Sequence, residues 1–119
     1  MISTPIPYSD ELTAESRSDF LRKLADQLGK DLYPAEWGEL SSTPTPHDIL
    51  TQLRQSVAAL ISEHNSSLGQ VLYRIDLPEG KIRALMAASA AEERVDVLAL
   101  QILEREAKKV WTRMHYSES

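Results

Sequence analysis

The sequence predicts an all-α fold, a compact bundle of four to five helices with a long helix at its C-terminal end. In every periodic segment the apolar residues recur at helical intervals, a helix-start signal precedes each of these segments, and no segment has a strand partner. The chain has 119 residues, of which 42% are hydrophobic. That is enough to bury a core without disulfides or metal ions.

The chain is expected to divide into a flexible N-terminal arm, residues 1–12, and a single helical-bundle domain, residues 13–119. The arm contains two prolines and alternating polar residues. Thr13 can cap the first helix, and Gly29 is expected to close it in a left-handed conformation. One apolar stripe marks the buried face of this helix: Phe20, Leu21, Leu24 and Leu28.

A second helix is predicted to start after a connector at residues 32–46 and to run to about Glu63. Thr45 precedes Pro46, and Asp48 occupies the third helical position. A proline costs nothing at a helix start, and an acid there complements the helix dipole. The buried stripe of this helix is Leu50, Leu53, Val57 and Leu60.

The segment NSSLGQVLYRI, residues 65–75, fits either a strand or a helix. Its β-branched and aromatic residues suggest a strand, but its apolar residues lie at helical intervals and a lone strand would have no partner. The helical interpretation is therefore favoured.

Two further helix starts are predicted in the C-terminal half. Asp76 is expected to cap a short helix, with Pro78 in its first turn and Glu79 completing a capping box. Ser89 is expected to cap the longest helix, running from about residue 90 to residue 115. The apolar arc of that last helix is much wider than one stripe, which predicts burial by several neighbours.

Composition excludes several classes of chemistry. The chain contains no cysteine, which removes disulfides, thiolate catalysis and cysteine-based zinc sites. Its four glycines are isolated, so no phosphate-binding loop is present. No signal peptide and no apolar run of the ~18–20 residues that span a bilayer is visible. A cytoplasmic protein without membrane contact is expected.

Titratable residues give little support for catalysis. The three histidines lie on separate segments, and no motif for a metal site accompanies them. No metal, no other cofactor and no catalytic residue are therefore expected. A polar corner of His64, Arg74 and Asp76 is the candidate for an ion pair or a site; the alternative is a structural role at a helix break.

The C-terminal helix carries a basic face although the chain has a net charge of −5. Arg105, Lys108 and Lys109 are expected to share its solvated side, with Trp111 at the margin. Such a face can bind nucleic acid, or it can complement the helix dipole and solubilise a buried helix. The second interpretation is favoured, because an acidic chain repels polyanions. Trp37 in the connector is a further candidate for partner contact; the alternative is a lid over the bundle.

Two stretches, LGQVLYRIDLPEGKI and LALQILEREAKKVWTRMHYS, carry a resemblance. Together they are similar to the C-terminal half of small uncharacterised bacterial proteins, which share a Leu-Tyr-Arg-Ile-Asp corner and a terminal helix rich in Arg, Glu and Lys. The resemblance covers residues 68–117 and implies a bacterial origin and a helical domain. It implies no activity, cofactor or binding residue.

The function expected from the sequence is non-enzymatic. The apolar stripes are extensive for so small a bundle, and no set of residues matches a catalytic motif. Both observations favour a helical protein that works through protein–protein contact, as a homodimer or as an accessory subunit. A nucleic-acid-associated regulatory protein that uses the basic face is the alternative.

Overall fold

The computed structural model describes residues 6–9, 12–62 and 67–116, and within these ranges the chain is helical without any strand. The predicted all-α fold with a long C-terminal helix is confirmed. The helices of the described ranges follow in order: α1 Ala14–Asp31, α2 Pro46–Ser62, α3 Ser67–Ile75, α4 Glu79–Ala87, a 3₁₀ helix at Ala91–Glu93, and α5 Arg94–Tyr116. The described part of the ambiguous segment before Asp76 is thus a helix.

Helix α5 is the centre of the bundle and packs against all four other α-helices. This explains its wide apolar arc, because each neighbour covers a different part of its surface. Its fully buried side chains meet those of α1, α2 and α3 in one continuous core. The largest fully buried side chains of this core are those of Phe20, Leu24, Leu28, Leu32, Ile49, Leu53, Leu60, Leu72, Ile75, Leu98, Ile102 and Leu103.

The first two helices begin where the sequence predicts. The Thr13 side chain accepts a hydrogen bond of 3.2 Å from the backbone N–H of Ser16. At α2, the backbone N–H of Asp48 donates to Thr45 Oγ1 at 3.1 Å, and the backbone N–H of Thr45 donates to Asp48 Oδ2 at 3.0 Å. This reciprocal pair is a capping box with aspartate as the third residue.

The predicted Asp76 cap is wrong, because Asp76 ends α3 instead of starting α4. Its φ of 73° is left-handed. The backbone N–H of Leu77 donates to the Leu72 carbonyl at 2.8 Å, and that of Asp76 to the Tyr73 carbonyl at 3.1 Å. These two bonds form a Schellman motif. Helix α4 then follows Pro78 without a side-chain cap.

Ser89 is also not the N-cap that the sequence predicts. Its hydroxyl donates to the Leu85 carbonyl at 2.9 Å and so satisfies the end of α4. The 3₁₀ turn at Ala91–Glu93 intervenes, and α5 begins at Arg94. The arginine side chain bonds back to the Met86 carbonyl at 3.1 Å, which fixes the corner between the two helices.

Gly29 does not close α1, which continues to Asp31 with Leu32 as its C-cap. None of the described glycines has a positive φ. A Cβ atom at position 29 would lie only 2.9 Å from Trp37 Cδ1. Gly29 therefore makes room for the Trp37 ring, which folds back over α1 as a half-buried lid.

Residues 6–9, within the segment expected to be a flexible arm, pack against the helices. Ile6 is buried, and the Tyr8 ring stacks on Trp111 with 5.1 Å between ring centroids. The Arg17 guanidinium donates to the carbonyls of Ser9 and Leu12 at 2.8 and 3.1 Å. These contacts attach the described part of the segment to α1 and α5.

Two glycine substitutions test the role of Trp37. Gly29→Ala should lower the free energy of unfolding by about 1–2 kcal/mol, because the clash with the ring exceeds the gain in helix propensity. Gly80→Ala is the matched control, since nothing lies within 4 Å of a Cβ atom at that helical position. It should raise stability by about 0.5–1 kcal/mol. Urea denaturation measures both, and a stabilising Gly29→Ala would contradict the packing described.

Candidate functional site

Four charged residues come together, through side-chain and backbone contacts, where α1 and α3 end against the middle of α5. Asp31 is the last residue of α1, Arg74 lies in the last turn of α3, and Glu106 and Lys109 are one turn apart on α5. Glu106 is completely buried and Asp31 is 7% exposed. We call these four residues the polar cluster.

The position of the polar cluster follows from the two helix ends. The last carbonyls of a helix have no partner within it, and they attract cations. Arg74 Nη1 accordingly donates to the carbonyls of Asp31 and Tyr33 at 3.0 and 2.7 Å. Lys109 Nζ donates to the Arg74 carbonyl at 3.3 Å. The side chains of Arg74 and Lys109 thus satisfy backbone carbonyl groups at the ends of α1 and α3.

The two carboxyl groups of the polar cluster are held differently. Asp31 Oδ2 accepts hydrogen bonds from Gln27 Nε2 at 2.8 Å and from Lys109 Nζ at 3.3 Å. Glu106 Oε2 lies 3.2 Å from Lys109 Nζ. This contact is close enough for an ion pair but lacks hydrogen-bond geometry, and neither Glu106 oxygen accepts a hydrogen bond from the described residues.

Burial makes Glu106 a proton-binding group near neutral pH. Loss of solvent, followed by the hydrogen bond and the charge of Asp31, raises the pKa of Glu106 from 4.5 to about 8, and Lys109 opposes this only in part. For Asp31, burial disfavours the charge, but hydrogen bonds from Glu106 and Gln27 together with the Lys109 ammonium outweigh it and lower the pKa. With its pKa raised to about 8, Glu106 is protonated at neutral pH and has a proton available for the neighbouring Asp31 carboxylate.

The expected solvated basic face of α5 is wrong for Lys109. Its side chain is only 16% exposed, because it reaches inward to Asp31 and Glu106. Arg105 Nη2 binds Asp76 Oδ2 at 2.9 Å. Of these three cations only Lys108 belongs to an exposed residue with no described ion-pair partner.

The expected polar corner does not assemble from the described residues. Arg74 binds backbone carbonyls and Asp76 binds Arg105, so the two side chains do not pair with each other. His64 lies outside the described residues.

The two tryptophans chosen as candidates for partner contact are half-buried by the fold itself. Trp111 lies between Tyr8 and His115, with 4.0 Å between the centroids of its ring and the imidazole. Trp37 covers Gly29. Among the residues whose burial the structure describes, the most exposed aromatic side chains are instead Tyr73, 87% exposed, and Tyr33, 69% exposed.

Asp31 and Glu106 are the members of the site that the sequence interpretation missed, although the signal was present. Glu106 lies three or four residues from Leu103, Ile102 and Val110, all of which are buried. An acid inside the wide apolar arc of a central helix indicates a buried charge with a partner. Its partner could not be named without the fold.

The described ranges contain no group of three or more His, Cys, Asp or Glu that could hold a metal ion. None of the helices in the described part of the chain combines the length and the apolar character needed to cross a membrane. Comparison with protein-family models, curated proteins and solved structures finds no match.

Glu106 should give the protein a stability that falls as the pH rises. A raised pKa in the folded state means that the folded protein holds the proton more tightly, so the contribution is complete below 4.5 and is lost as the pH rises through about 8. The slope should reach at most about 1.4 kcal/mol per pH unit for one proton. Asp31, with its lowered pKa, contributes in the opposite sense at pH values around and below 3.8.

Glu106→Gln should remove this slope, because the neutral amide keeps the shape of the acid and can still donate to Asp31. The variant should match the wild type near pH 4 and exceed it at pH 8 in urea denaturation. Glu104→Gln, an exposed change on the same helix, should keep the wild-type slope. Parallel profiles for the wild type and Glu106→Gln would show that Glu106 is ionised throughout.

Lys109 and Lys108 are adjacent lysines that should differ sharply in their effect on stability. Lys109→Gln leaves the Asp31 carboxylate buried without its cation, so it should cost about 3 kcal/mol of unfolding free energy. Lys108→Gln should change it by less than about 0.5 kcal/mol. Chemical denaturation of the two variants decides the point, and equal small effects would mean that Lys109 is solvated.

Proposed function

We propose that this protein is a small, non-enzymatic cytoplasmic protein that acts through protein–protein contact, as a homodimer or as an accessory subunit. The observation that carries the proposal is the exposure of two tyrosines, Tyr33 at 69% and Tyr73 at 87%. Tyrosine and arginine are enriched at the centres of protein interfaces. An exposed tyrosine offers a partner a large apolar ring together with a hydroxyl group that can form a hydrogen bond.

The two tyrosines belong to one end of the bundle. Tyr33 follows α1, Tyr73 lies in the last turn of α3, and Arg74 connects the two by donating to the Tyr33 carbonyl at 2.7 Å. Because Arg74 also binds the Asp31 carbonyl, the backbone that presents both rings is tied to the core. Rings on a fixed backbone lose less conformational entropy on binding than rings on a mobile loop.

Sedimentation of the wild type over a concentration series tests the homodimer. We expect the mass to rise toward that of a dimer, and Tyr73→Ala to weaken the association by at least about tenfold. Tyr73→Ala should not disturb folding, because the side chain is almost fully exposed. Leu100→Ala is the control, since Leu100 is another exposed large apolar residue, 39% exposed, on α5.

If the wild type is monomeric, affinity purification with the same variants tests the accessory-subunit form. A partner retained by the wild type and by Leu100→Ala but lost with Tyr73→Ala would support the proposal. A monomer without any tyrosine-dependent partner would contradict it. Binding of an oligonucleotide with a steep dependence on salt, lost in Lys108→Gln, would support instead the nucleic-acid alternative.

A further inference from the structure

A groove of about 650 Å³ runs between α1 and α5, and neither exposed tyrosine lines it. Val110 and Met114 of α5 form its apolar floor. Val110 is nearly buried and Met114 is half-buried, and both belong to the edge of the core. The volume lies within the range of small-molecule sites, which combine an apolar surface with a few placed polar groups.

The rim of the groove is positively charged in an otherwise acidic protein. Lys23 and Lys30 of α1 and Arg113 of α5 line it, with Asp26 as the single acid. The Lys23 ammonium also forms an ion pair with the carboxylate of Asp19, which lies outside the groove, at 2.9 Å. Lys30 has no described ion-pair partner in the part of the chain that the structure covers. The charge of the groove is thus complementary to an anion.

Arg113 is fixed in position by a chain of hydrogen bonds that reaches the polar cluster. Arg113 Nη1 donates to Gln27 Oε1 at 2.6 Å, and Gln27 Nε2 donates to Asp31 Oδ2 at 2.8 Å. Since the amide of Gln27 is held at both ends, its oxygen must face Arg113. A guanidinium has five N–H donors, and the described contacts of Arg113 use one nitrogen.

We propose that the α1–α5 groove binds a small amphipathic anion, a carboxylate on a hydrocarbon chain. The carboxylate lies against the guanidinium of Arg113, with the ammonium of Lys30 nearby, and the hydrocarbon covers Val110 and Met114. A planar guanidinium matches a carboxylate in geometry and can bind both its oxygens. The proposal does not depend on the proposed function, because it concerns a different surface.

The groove fits a single negative charge better than a polyanion. Asp26 lies among the cations of the rim, so a chain of phosphates following the rim would meet its carboxylate. Binding of nucleic acid needs a longer basic surface with cations from several elements. An anion with one charged end can contact Arg113 and leave Asp26 in water.

Titration of the full chain with octanoate, followed by amide NMR, tests the proposal. We expect saturable shifts at residues 27, 30, 110, 113 and 114. Acetate, which has only the head group, and octan-1-ol, which has only the tail, should each bind at least about tenfold more weakly, since each lacks one of the two contributions.

Two variants make the test specific. Arg113→Gln should weaken octanoate binding about tenfold, the usual effect of losing a charge-assisted hydrogen bond. Lys108→Gln removes a charge from an exposed residue of the same helix outside the groove and should bind octanoate like the wild type. Equal binding by Arg113→Gln, equal binding of acetate, or shifts confined to other surfaces would overturn the proposal. The proposal would also be overturned if the groove bound an acidic peptide but not octanoate.

Discussion

The contact between the Lys109 ammonium and the Asp31 carboxylate is the constraint on which the rest of the structure depends. One cation, 3.3 Å from Asp31 Oδ2 and 3.3 Å from the Arg74 carbonyl, joins the central helix to the ends of two others. Both ends carry carbonyl groups without helical partners, which must be satisfied if they are to approach the core. Lys109 and Arg74 meet that need together.

A buried ionic cluster is a poor source of net stability, because the cost of removing charges from water offsets their attraction. Here the cluster instead contributes to the relative positions of the helices. Lys109 contacts the Asp31 carboxylate and the Arg74 carbonyl at once, so it specifies how α5 is aligned against the ends of α1 and α3. Protonation of Glu106 reduces the cost further, since one carboxyl group enters the core without its charge.

The sequence is sufficient for most of the fold, because periodic apolar residues and the caps at Thr13 and Thr45 are local signals. The misplaced boundaries share a physical cause. Asp and Ser occur at both ends of helices: Asp76 adopts the left-handed conformation that ends α3, whereas the Ser89 hydroxyl donates to the Leu85 carbonyl at the end of α4. From the sequence alone, Gly29 suggests the end of a helix. In the fold, its missing side chain makes room for the ring of Trp37.

The candidate site was harder to predict from the sequence, because its contacts join residues that are far apart in the chain. A lysine in the run Lys108–Lys109 looks solvated, and only the partner 78 residues earlier in the chain, Asp31, turns Lys109 inward. Glu106 was detectable as an acid within an apolar arc, since helical periodicity places it there. Periodicity identifies the buried charge, and tertiary structure alone identifies its partner.

The polar cluster also connects the two surfaces for which we propose binding. Arg74 fixes the backbone of Tyr33, and Gln27 joins Asp31 to Arg113 in the α1–α5 groove. A change inside the polar cluster would therefore disturb both surfaces at once and could not separate their roles. Tyr73 and Arg113 are exposed residues outside the polar cluster, so changes there alter one surface while the packing of the three helices stays intact.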